Sequence, residues 1–148
     1  MRQVCAAIIM MLAVISASCG SPQAPGVDMS HVEANVPAAD QFDAALRRDL
    51  LAHFSSLSSI RVTSVDATLL REKPTQSGVA YPKYYAWVVL RSDSGQTRSG
   101  AVRVAAVNAT RFEVTHFLSK EVLQADPAAA SEVFPAALVD DVNKRASE

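Results

Sequence analysis

The chain has 148 residues, 49% apolar and 20% charged, with a formal net charge of −1. That is enough chain for one domain with its own core. No basic stripe or acidic tail breaks the charge balance, which excludes a nucleic-acid partner from the readings that follow.

The N-terminus carries the sharpest signal. Arg2 is the only charge before Asp28, and residues 4–15, "VCAAIIMMLAVI", form an unbroken apolar run. A helix needs about 20 apolar residues to cross a bilayer, so this run is too short to span and suits a secretory signal. Residues 1–18 are therefore read as a signal peptide. The cysteines are Cys5 and Cys19, and cutting the signal leaves Cys19 alone, with no internal disulfide to form. A lone thiol is reactive in an oxidising compartment, and thioether attachment of a lipid removes it. The run ending in Ser16-Ala17-Ser18-Cys19 resembles the lipobox of bacterial lipoproteins. That resemblance implies cleavage before Cys19, acylation of Cys19, and a membrane partner through the lipid. By the same resemblance, Gly20 in place of Asp implies an outer-membrane address facing the periplasm. Ser16 stands where the family usually has Leu. Ser16 and Ser18 equally suit an ordinary signal peptidase, whose product is a soluble periplasmic or secreted protein.

Residues 19–39 hold Pro22, Pro25 and Pro37 and no apolar period, the pattern of a flexible linker. About twenty residues reach at most ~66 Å, enough to hold a domain clear of a lipid surface. His31, in this linker, reads as a solvated bystander.

A single domain is expected over residues 40–148. Asp40 is a helix cap with Asp43 in the first turn, and Phe42, Leu46, Leu50, His53 and Leu57 form one stripe at 100° per residue. Arg47, Arg48 and Leu51 point away from it. Four strands follow at 60–71, 84–92, 99–107 and 111–118, the first with an alternation that slips between Val62 and Val65, as a bulge causes. Turns are expected around Gly95 and at 108–110, and residues 72–83 form the longest loop. Tyr84, Ala86, Val88 and Leu90 line one face of the second strand, and Tyr85, Trp87 and Val89 the other. Such a strand needs cover on both sides. The first helix supplies one. The C-terminal segment, the long loop or a partner subunit supplies the other. Ser119 and Asp126 are caps for short C-terminal helices, and Pro135 restarts the last one. The fold class is α+β: an N-terminal helix packed on a four-stranded antiparallel sheet, then short C-terminal helices. The element order over residues 40–118 resembles cystatin-like and nuclear-transport-factor-like folds.

No phosphate loop, HExxH, paired-cysteine motif or GxSxG occurs, so no cofactor or metal is expected. His53 lies in the helix stripe with Asp49 one turn earlier, and His116 shares strand parity with Phe112, Val114 and Leu118. If both stripes face one interior, Asp49, His53 and His116 converge there, with Trp87 in the wall of a ligand cavity. An Asp orienting a His is a general-base arrangement. The plainer account gives each His a backbone carbonyl and leaves Asp49 solvated. Arg91, Arg98 and Arg103 read as a solvated sheet face, with an anionic-ligand site as the other option.

Three functions stay open. The first is a non-catalytic interaction or structural module that binds an envelope protein or itself. The second is a small-ligand cavity protein. The third is a hydrolase or isomerase-like enzyme using Asp49 and His53.

Overall fold

The computed structural model describes residues 34–57, 61–76 and 80–148. Residues 1–18, where a signal peptide is expected, Cys19 and His31 lie outside the described residues.

The first helix forms as α1, Ala39–Leu57, with Asp40 inside the first turn rather than capping it. Its charge there still meets the positive end of the helix dipole. The buried face is Ala45, Leu46, Leu50 and Phe54, and Phe42 and Leu51 pack against the same core. The stripe is thus rotated from the expected one. Phe54, four residues after Leu50, buries its ring, Leu51 turns inward, and Leu57 is left 71% exposed at the helix end.

Four strands follow: β1 Val62–Leu69, β2 Lys83–Ser92, β3 Thr97–Val107 and β4 Arg111–Ser119. They pair antiparallel in sequence order, β1-β2-β3-β4. The slip in β1 is a bulge: Val62 opposes Ser92 and Ser64 opposes Arg91, leaving Thr63 as the extra residue. Three short helices close the chain: α2 Lys120–Ala125, α3 Ala129–Val133 and α4 Ala136–Ser147. Ser119 caps α2 by accepting from the Val122 N–H, and Asp126 accepts from the Ala128 N–H ahead of α3.

The sheet is the middle layer of three. On one face α1 packs against Tyr84, Ala86, Val88 and Leu90 of β2 and Val102, Val104 and Ala106 of β3. On the other, Tyr85 and Ala101 pack with Leu123, Phe134, Leu138 and Val142. The C-terminal helices therefore provide the second cover that β2 requires. Trp87 and Leu118 are half-buried at this second core. Tyr85 also exchanges a hydrogen bond with the Thr75 hydroxyl at 2.5 Å. Tyr84 and Tyr85 point to opposite faces of the sheet, and Tyr81 is exposed.

The β3–β4 turn is held from a distance. Asn108 and Ala109 both have positive φ, 54° and 55°. The Asn35 side-chain carbonyl accepts from the Asn108 N–H at 3.2 Å, and the Asn35 backbone carbonyl accepts from the Ala109 N–H at 3.1 Å. Asn35 is buried and Val36 packs on the α1 core, so the folded unit takes in residues ahead of Asp40. A left-handed alanine costs roughly 1–2 kcal/mol, part of which glycine returns through its larger unfolded-state entropy. Ala109→Gly is expected to stabilise the domain by about 0.5–1 kcal/mol, read as a higher urea midpoint with unchanged slope.

Candidate functional site

The residues singled out by sequence do not meet. Asp49 faces the start of β4, where its Oδ2 accepts from the Phe112 N–H at 2.6 Å. Arg48 grips both carboxylate oxygens, at 2.7 and 3.0 Å, and donates to the Thr110 carbonyl at 2.7 Å. Asp49 is thereby the joint between α1 and β4, and it is held by Arg48 and a backbone amide rather than by His53. His53 lies one turn further along α1 with its ring edge-on to Phe54, centroids 5.2 Å apart. Burial lowers its pKa from the usual 6.5.

That lowering has a sign in stability. The unfolded chain takes up a proton on His53 more readily than the folded one, so this contribution is fully present above pH 6.5 and is lost as pH falls below it. His53→Gln is expected to flatten the fall in unfolding free energy between neutral pH and pH 5. The check is chemical denaturation across that range.

His116 stands on the other face of the sheet. In β4, Val114 opposes Val104 but His116 opposes Arg103, so Thr115 is an extra residue and the strand's parity reverses there. Phe117 consequently joins the α1 core, and Leu118 joins the core under the C-terminal helices. The expected parity of His116 with Phe112 and Val114 is corrected by this bulge. Trp87 lies on the same side as His116, half-buried, while Asp49 and His53 are on the α1 side.

Arg103 organises the far face. Its Nε donates to the Thr115 hydroxyl at 3.0 Å, Nη1 to the Val133 carbonyl at 3.2 Å, and Nη2 lies 2.5 Å from His116 Nδ1. Arg91 instead pairs with Asp66, and Arg98 sits opposite Leu90 on the α1 side. The three arginines hold separate places. The β4 bulge does leave a trace in the sequence, since Phe112, Val114 and Phe117 break alternation as Val62 and Val65 do, but it was not among the expectations.

An apolar groove of about 310 Å³ opens at the C-terminal end of α1. Phe54, Leu57, Val62, Leu90 and Phe117 form its walls, with Arg98 the charged side chain among them. The rings of Phe54 and Phe117 meet edge to face at 4.9 Å. Two further open grooves flank α1, one of about 340 Å³ beside Phe42, Leu69 and Tyr84, the other of about 430 Å³ beside Arg48 and Thr110. None of these three is lined by Trp87, His53 or His116. Among the described residues, no three of His, Cys, Asp and Glu gather as metal ligands, and no helix is long and apolar enough to cross a membrane.

Compared with known proteins, the chain matches no family model, no curated protein and no solved structure.

Proposed function

We propose that this chain is exported, acylated at Cys19 and held in a bacterial cell envelope, at the outer membrane facing the periplasm, where its domain acts as a non-catalytic protein-interaction module. Export and acylation rest on the sequence of residues 1–19. The observation that carries the binding role is the groove at the end of α1, where 71%-exposed Leu57 shares the apolar lining with Phe54, Leu90 and Phe117. An exposed leucine that continues into an apolar groove supports a docking site. Arg98 on the wall favours a partner segment whose apolar anchor is flanked by a carboxylate. The enzyme reading loses support because the Asp49 oxygens are engaged by Arg48 and Phe112. The cystatin-like resemblance stays a likeness of element order and carries no function here.

A photo-reactive side chain at position 57, placed in the full chain in bacterial cells, is expected to give one discrete protein adduct that Arg98→Glu abolishes. The same side chain at exposed Asp140 on α4 is expected to give none. Equal labelling at both positions, or an adduct indifferent to Arg98→Glu, contradicts the reading.

A further inference from the structure

We infer that Arg103, His116 and Lys83 form an oxyanion site on the sheet face opposite α1, built to take the phosphate group of a ligand. This inference is independent of the α1 groove.

The backbone builds the site. Lys83 and Tyr85 share a face of β2, Tyr85 opposes Arg103 on β3, and the bulge at Thr115 brings His116 opposite Arg103 from β4. Without that bulge His116 would point toward α1. The Arg103 guanidinium is fixed in place by Thr115 and by the last carbonyl of α3, that of Val133. The Thr115 hydroxyl donates in turn to the Arg103 carbonyl at 3.0 Å. A fork held this way loses little freedom when a ligand arrives.

Donor counting shows what remains to be offered. A guanidinium has five N–H groups and accepts nothing. Thr115, Val133 and His116 use three, leaving two. Because Arg103 can only donate, the nearer His116 nitrogen, Nδ1, accepts, which places the imidazole proton on Nε2, itself 3.5 Å from the same Nη2. Lys83 adds an ammonium. Donors on two fixed charges, with no acceptor among them, match an oxyanion.

The charges are not neutralised. Among the described residues, neither Arg103 nor Lys83 pairs with a carboxylate. Glu113 stands in the same row as Lys83, across Ala105, and is engaged by Arg111 at 2.5 Å, while Glu132 of α3, next to Val133, is exposed. Partial burial, then Arg103 and then Lys83, lowers the His116 pKa from 6.5. The ring therefore sits in a positive field that an anion would relieve.

The test follows the His116 ring of the full-length protein by NMR across pH, in sodium sulfate against sodium chloride at equal ionic strength. Sulfate keeps its charge over this range, so it serves as the probe. Its binding is expected to raise the His116 pKa by about one unit, leave His53 unmoved, and tighten as pH falls. Lys83→Gln, which removes no side-chain bond among the described residues, is expected to weaken the sulfate effect several-fold. Competition by glycerol 3-phosphate would mark a soluble phosphomonoester, and competition by glycerophosphoglycerol a phospholipid headgroup. Equal His116 pKa in the two salts overturns the inference. So does a shift shared by His53, one that Lys83→Gln leaves intact, or a failure of both phosphates to compete.

Discussion

Gly100→Ala is expected to destabilise the domain by about 3 kcal/mol, the upper end for forcing extra atoms into a packed site. Gly100 opposes Ser119 at the end of the β3–β4 ladder. A Cβ there would lie 2.3 Å from the Leu118 carbonyl oxygen and 2.7 and 2.9 Å from the Phe117 ring. The ring can swing, but the backbone oxygen cannot leave without moving β4. Phe117 packs on Phe54 and walls the groove, so the same substitution is expected to disturb binding there as well. Equilibrium urea unfolding measures the loss. A change below about 1 kcal/mol would mean that β4 shifts freely at this point and that its register is not fixed by the contact.

Asp49→Ala is expected to cost about 2–3 kcal/mol, the range for removing a charged acceptor and stranding its donor. The donor is the Phe112 N–H, 2.6 Å from a carboxylate whose side chain is only 16% exposed. Phe112 is itself buried and meets Phe42 edge to face at 5.0 Å, so the joint also sets how α1 lies on the sheet. The contact to exposed Arg48 is a surface pair and adds little. Asp49→Asn keeps an acceptor for Phe112 and is expected to lose less. If the alanine variant unfolds at the same urea concentration as the parent, Asp49 is not the joint, and its role would have to be sought in chemistry instead.

Much of the architecture was legible because it follows from periodicity and punctuation. Two apolar faces on β2 required two covers, and the Ser119 and Asp126 caps with the Pro135 restart pointed to the helices that provide the second. The β1 bulge was visible as a slipped alternation. The site residues were harder, since their placement depends on parity, and one extra residue reverses parity for everything after it. Thr115 does this to His116, which moves from the expected interior with His53 to the opposite face with Arg103. Asp49 was read with its chain neighbour His53, whereas its partner Phe112 lies 63 residues away. The Asn35 clip was invisible for a similar reason. Asn35 sits in a proline-bearing linker by composition, and only the fold brings it to the left-handed turn at Asn108 and Ala109.

The most direct test of an envelope-anchored module is the intact mass of the protein from its native membrane fraction, set beside a Cys19→Ala variant. The account predicts a chain beginning at Cys19, heavier by a diacylglyceryl group and an acyl chain, with both additions absent from the variant. An unmodified chain in the soluble fraction would contradict the anchor and make the domain a diffusible periplasmic or secreted binder.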